Sequence, residues 1–192
     1  MKVDYIIVGA GIAGIAMAHF CKRYHKTFVV IDDGIRTSSK VAGGMFNPVV
    51  LKRFTSIWES EAQLALAQDF YPEVEKLLTD RFYHNLPIYR KFASVEEQNN
   101  WFQACDNPTT AAFLNEDLSN EEFPHIKSSF RFGEVYQTGY LDVLKYVSVY
   151  QSYLDQLGSI LKESFVYADL EMLDSSVRYK NIDAGHIVFA QG

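Results

Sequence analysis

Two uninterrupted apolar runs open the chain, Tyr5-Ile6-Ile7-Val8 and Phe28-Val29-Val30-Ile31. Runs of this length without alternation read as strands buried on both faces, the pattern of a parallel sheet. A strand is therefore predicted over Asp4 to Val8, a helix over Ile12 to about Tyr24, and a second parallel strand over Phe28 to Asp32. Small Ala13, Ala16 and Ala18 are expected to let the helix lie close on the sheet. From Ser56 to Thr79 the apolar positions Ala62, Ala65, Leu66, Phe70, Val74, Leu77 and Leu78 recur at helical spacing. Pro72 predicts two helices or a kink there. Phe82 to Phe92 reads as a strand in which Pro87 disfavours a central position. Ser94 to Cys105 reads as a helix, with Ser94 and Glu97 at capping-box spacing. Asp106 to Ser128 is irregular, polar and acidic, and Ser129 to Thr138 is a strand open to pairing with the earlier one. Leu141 to Leu157 is strongly amphipathic, with Val143, Leu144, Val147, Tyr150, Leu154 and Leu157 on one face. Asp142 starts that helix and Gly158 ends it. Strand signals follow in Ile160 to Tyr167, Ser176 to Tyr179 and His186 to Ala190.

Between the first strand and the first helix stands Gly9-Ala10-Gly11-Ile12-Ala13-Gly14, and Asp32 closes the second strand about twenty residues on. Each part of this dinucleotide fingerprint has a task. Gly9 permits the tight turn, Gly11 lets a pyrophosphate approach the backbone, and Gly14 lets helix and strand pack closely. The free N–H groups at the helix start, aided by the helix dipole, face the phosphates. Asp32 can accept hydrogen bonds from ribose hydroxyls, and an acid there disfavours the 2′-phosphate of NADP. The architecture implied is α/β: a Rossmann-type sheet over residues 1–81 and 139–192, interrupted by an α+β segment over 82–138.

Charge and composition narrow the function. The formal net charge of −6 argues against a nucleic-acid footprint, which needs clustered Lys and Arg. The two cysteines, Cys21 and Cys105, have neither CxxC spacing nor a histidine cluster, so no disulfide or metal site is expected. Cys21 reads as a small core residue. The uncharged stretch from Tyr5 to Cys21 is broken by three glycines and preceded by Asp4, which argues against a signal sequence or membrane span. A soluble cytoplasmic protein is expected. The five histidines have no triad spacing, and no catalytic residue is assigned. Trp58 and Trp101 are expected to anchor helices, and Lys52 and Arg53 to be solvated.

These residues resemble the amino-terminal part of the D-amino-acid oxidase and glycine oxidase superfamily of FAD-dependent oxidoreductases. The glycine motif continues to Ala18, and Asp32-Asp33 stands where that family has its ribose acid. The run Thr37-Ser38-Ser39-Lys40-Val41-Ala42-Gly43-Gly44-Met45-Phe46-Asn47-Pro48 resembles the family's small-residue loop over the flavin pyrophosphate and ring. Gly139-Tyr140-Leu141-Asp142 resembles the turn back into the FAD domain. Phe165-Val166 resembles the point where a backbone group meets the adenine, and Ala190-Gln191-Gly192 the late turn beside the cofactor. The resemblance implies an FAD cofactor held by Gly9, Gly11, Ile12, Ala13, Gly14, Asp32, Asp33, Ser38, Ser39, Gly44, Met45, Asn47, Val166, Ala190 and Gly192. It implies hydride removal from the carbon beside the nitrogen of a small amine or amino acid, with the flavin supplying the redox chemistry.

Two departures from the family pattern stand out. His25 occupies a helix-end position where glycine is usual, so it must take a left-handed turn or reshape it. The chain is also shorter than the family's fold, and is expected to be an amino-terminal fragment, inactive alone and weak in flavin retention. Three further readings stay open: the flavin module of a tRNA wobble-uridine modification enzyme, a truncated non-catalytic nucleotide-binding module, and a simple NAD-binding domain.

Overall fold

The computed structural model describes residues 1–35, 38–121 and 123–191. The strands are β1 (Lys2–Val8), β2 (Phe28–Ile31), β3 (Met45–Phe46), β4 (Val49–Val50), β5 (Thr55–Ser56), β6 (Tyr83–Asn85) and β7 (Ile88–Lys91). They continue with β8 (Phe132–Val135), β9 (Gly139–Leu141), β10 (Ile160–Leu161), β11 (Leu170–Met172), β12 (Val177–Tyr179) and β13 (Ile182–Phe189). The helices are α1 (Ile12–Arg23), α2 (Ser60–Leu78), α3 (Val95–Cys105) and α4 (Val143–Gln156). The chain divides into two compact units. The first takes Met1–Gly43, Leu77–Phe82 and Asp142–Gly192; the second takes Gly44–Lys76 and Tyr83–Leu141.

The first unit is built on a six-stranded sheet in the order β10-β2-β1-β13-β12-β11. The first four are parallel, and β12 and β11 add antiparallel beyond β13. The apolar runs read from the sequence are its centre: Ile6, Ile7, Val8, Val29, Val30 and Ile31 are all buried. Val8 stands opposite both Ile31 and Phe189, and Ile31 opposite Leu161, so the four parallel strands end flush. Helix α1 turns Gly14, Ile15, Ala18 and Cys21 inward, while Ala13 is exposed and Ala16 half-buried. Helix α4 buries Val143, Tyr146, Val147, Tyr150 and Leu154; Leu144 and Leu157 of the expected face lie in solvent. A hydrogen bond of 3.1 Å between His19 Nδ1 and Tyr150 Oη ties α4 to α1.

Both helices end in the same way. His25 takes φ +54°, its N–H donates to Lys22 O, and the N–H of Lys26 donates to Cys21 O. Gly158, at φ +64°, closes α4 with the same pair of bonds. The histidine accepts the left-handed turn instead of reshaping it.

In the second unit, β3-β9-β6 form an antiparallel sheet, and β4–β5 and β7–β8 form two antiparallel pairs. The core gathers on Trp101, fully buried, with Phe92, Phe54, Leu64, Phe113 and Val135. The indole Nε1 donates to Asn115 O at 2.9 Å. Ser94 caps α3 by accepting the N–H of Glu97, and the Glu97 carboxylate accepts the N–H of Ala93 and pairs with Arg90. The capping box is thus made one residue further out, through Ala93.

Several expectations change. The second unit begins at Gly44, well before the 82–138 span read from the sequence, because β3 pairs with β9 and Val49, Phe54 and Leu64 enter the Trp101 core. Helix α2 runs unbroken through Pro72. Buried Phe70 and Val74 on either side hold it against a penalty of about 3 kcal/mol. Its inner stripe passes through Ser60, Leu64, Phe70 and Val74, and leaves Ala62, Ala65 and Leu66 exposed. The strand expected over Phe82 to Phe92 is two strands in two sheets, broken at Leu86-Pro87. The late strand β13 begins at Ile182, four residues early, because it forms a tight hairpin with β12. Trp58 anchors no helix; it is 76 % exposed.

Burial works to raise the Glu97 pKa, but hydrogen bonds from Arg90 and Ala93 outweigh it and hold the carboxyl below its ordinary value. A depressed carboxyl stabilises the fold above its unfolded pKa of about 4.3 and loses that contribution as pH falls through the folded value. Glu97→Gln should therefore cost about 1–2 kcal/mol at neutral pH and almost nothing well below pH ~4. Urea midpoints at the two pH values measure this, and an equal loss at both contradicts it.

Candidate dinucleotide-binding site

The flush ends of β10, β2, β1 and β13 meet the start of α1 to form a groove of about 1050 Å³ in the first unit. Open α/β sheets bind ligands at this carboxyl edge. Gly9, Gly11, Ile12, Ala13, Asp32 and Asp33 line the groove, together with Ser38, Ser39 and Ala190. Nine residues named from the sequence thus converge, although they come from four separate segments.

The glycine spacing has a steric cause. Gly9 takes φ +104°, and a Cβ there would lie 2.7 Å from Ala190 O. A Cβ on Gly14 would lie 1.8 Å from Gly9 O, so Gly14 does not line the groove but lets α1 close on the turn. A Cβ on Gly11 would stand 3.0 Å from Ser39 Oγ, across the approach to the backbone. Gly11 is the N-cap of α1 and has no capping side chain of its own. The hydroxyl of Ser39 supplies one from elsewhere, accepting the Ile12 N–H at 3.2 Å. Helix geometry leaves the first-turn N–H groups without intrahelical partners, and they make this end attractive to an anion.

Asp32 works harder on the protein than the sequence indicates. Its Oδ2 accepts the Ala10 N–H at 2.6 Å and its Oδ1 the Gly34 N–H at 2.7 Å. Each oxygen retains a further lone pair for a ribose hydroxyl. Asp33 accepts from Ile35 N–H and Ser164 Oγ. Ala190 donates its N–H to Val8 O, continuing the β1–β13 ladder to the groove floor. Val166, where a backbone group was expected to meet the adenine, donates its N–H to Tyr179 Oη at 3.2 Å; its neighbour Phe165 lines the groove. Gly44, Met45 and Asn47 belong to the second unit. There Gly44 takes φ +67°, Met45 is 70 % exposed on β3, and Asn47 Oδ1 accepts the Val49 N–H. Thr37 and Gly192 lie outside the described residues.

Glu163 and Ser164 also line the groove and were not singled out from the sequence, and Phe189 and Gln191, part of the late strand and turn read there, line it without having been named as cofactor residues. Their signal was positional: Glu163 and Ser164 follow a parallel strand, and Phe189 and Gln191 flank Ala190. Gln151 was missed too. Its Nε2 donates to Ala10 O at 3.0 Å across 141 residues of sequence, and no local pattern announces that contact.

The profile of the FAD-dependent oxidoreductase family matches residues 4–192, and the chain belongs to that family. Its fold is similar to glycine oxidase from Bacillus cereus, with TM-score 0.70 and 18 % identity over 100 % of this chain and 55 % of that one. L-amino acid deaminase from Proteus vulgaris gives TM-score 0.70 and 16 % identity over 100 % and 47 %. L-alpha-glycerophosphate oxidase from Mycoplasma pneumoniae, a structure with FAD bound, gives 0.66 and 14 % over 100 % and 54 %. The chain spans about half the length of these proteins. Among the described residues no helix is long and apolar enough to cross a membrane.

Gly14→Ala tests the turn directly. The added carbon has backbone, not a flexible side chain, in its way. A loss of about 3 kcal/mol or more in urea unfolding is expected, and a variant as stable as the parent contradicts the packing described.

Proposed function

We propose that this chain holds FAD and serves an oxidoreductase that oxidises the C–N bond of a small amine or amino acid. The observation that carries the cofactor reading is the groove at the start of α1, where a Cβ on Gly11 would come within 3.0 Å of Ser39 Oγ. On this reading Gly11 and Ala13 present amides to the diphosphate beside Ile12, and the α1 dipole adds to their attraction. Ser39 keeps the Ile12 N–H and turns its own O–H toward a phosphate oxygen, with Ser38 beside it. Asp32 receives a ribose hydroxyl on its remaining lone pairs while holding Ala10 and Gly34. Ala190 and Gly9 form the floor; Val166 donates its N–H to Tyr179 Oη and its carbonyl accepts the Asp169 N–H, so only the second lone pair of that carbonyl is left to meet the adenine. Bound flavin supplies a two-electron acceptor for the substrate. Hydride removal from a neutral amine needs no general base, and none of this chain's residues is assigned one.

The support for an amine substrate is the recurrence of amino acids in the names of similar structures, glycine oxidase and L-amino acid deaminase among them. The acidic charge weighs against the reading as a tRNA-modifying module.

Titration of the chain with FAD, followed by flavin fluorescence, tests the cofactor reading. Binding displaced by ADP and abolished in folded Gly11→Val is expected. Unchanged uptake by that variant, or NAD binding without FAD binding, overturns it. Bleaching of the flavin colour by glycine, sarcosine, proline or D-amino acids, in the enzyme containing this chain, tests the substrate class.

A further inference from the structure

We infer that Gln151 is a positioning residue that aims the Gly11 amide at the diphosphate, an inference that rests on the FAD reading above. Ala10 is fully buried and is gripped at both of its backbone polar groups. Asp32 Oδ2 accepts its N–H at 2.6 Å, and Gln151 Nε2 donates to its C=O at 3.0 Å. The two grips come from different elements: Asp32 closes β2, and Gln151 projects from α4.

The peptide that joins Ala10 to Gly11 is planar and trans, so its C=O and N–H point in opposite directions. Fixing the Ala10 carbonyl toward α4 therefore turns the Gly11 N–H away from α4. Gln151 lines a separate cavity of about 350 Å³, with Ser148, Ser152 and the Asp155–Lys162 ion pair. Gly11 lines the large groove, and Asp32 and Asp33 belong to both walls. The N–H is thus turned toward the groove that Gly11 lines, while the carbonyl is taken by Gln151.

Asp32 on the Ala10 N–H and the Ile15 N–H on the Gly11 C=O hold the neighbouring peptides, and Gln151 holds the carbonyl of the Ala10–Gly11 peptide itself. Gly11 is the residue type least able to resist a peptide flip, since its backbone is permissive on both sides of φ. A flipped peptide would present a carbonyl oxygen to the phosphates in place of a donor. A neutral amide suits the task, because it donates a hydrogen bond without adding charge beside Asp32.

Gln151→Leu removes the donor at similar volume, and Gln151→Glu keeps the shape but sets an anion against the carbonyl. Affinities for FAD, ADP and adenosine are measured on both variants and the parent, with backbone amide spectra of the ligand-free proteins. FAD and ADP affinity should fall about tenfold in Gln151→Leu and further in Gln151→Glu. Adenosine, which has no phosphate, should bind as to the parent, and the Gly11 amide resonance should move. If Gln151→Leu does not fold, Gln151→Glu alone carries the comparison. Unchanged ADP affinity, a parallel loss of adenosine affinity, or an unmoved Gly11 resonance overturns the role of Gln151 alone. Absence of FAD and ADP binding by the parent overturns the cofactor reading, and the inference with it.

Discussion

One carboxylate locks the end of the second strand to the turn that leaves the first. Asp32 takes the Ala10 N–H on one oxygen and the Gly34 N–H on the other, so the acid and the glycine turn cannot move independently. The Gly9 N–H donates to Ile31 O at 2.8 Å, which adds a second tie between the same two strands. On the other side Ala190 donates to Val8 O, and its carbonyl closes over Gly9 at a distance no Cβ would tolerate. The turn is clamped between β2 and β13, and α1 starts from this clamp. Charge-assisted hydrogen bonds of this kind are about twice as strong as neutral ones. The acid read from the sequence as a sugar ligand is thus first a fastener, and any ribose it binds is held by a group already fixed in place.

The parts legible in the sequence are those with a local cause. Gly9, Gly11 and Gly14 could be read because each excludes a Cβ for a separate steric reason, and because apolar strands flank them. The capping of α3 by Ser94 and the closing of α4 by Gly158 follow from single residues with one physical job. His25 shows that the same job can be done by a residue that pays for it: the bonds of the helix end form, and a left-handed histidine makes them.

What stayed hidden depends on distant partners. The composition of α2 offers two overlapping apolar stripes, and only the packing of Leu64, Phe70 and Val74 selects one. β3 is two residues long, too short for any periodicity, yet its pairing with β9 places Gly44–Lys76 in the second unit. Trp58 and Trp101 look alike in sequence, but one is 76 % exposed and the other sits at the centre of a core. The Ser39 cap on α1 and the Gln151 grip on Ala10 both cross long stretches of chain, where spacing says nothing. On the proposed reading the groove takes a dinucleotide, and none of its lining groups distinguishes one amine from another.

A crystal structure of the chain with FAD tests the central claim most directly. The diphosphate should lie at the start of α1, with an oxygen about 3 Å from the Gly11 amide nitrogen and the Ala10 carbonyl still on Gln151. A diphosphate bound away from that amide, or a turn that has refolded to receive it, would contradict the account.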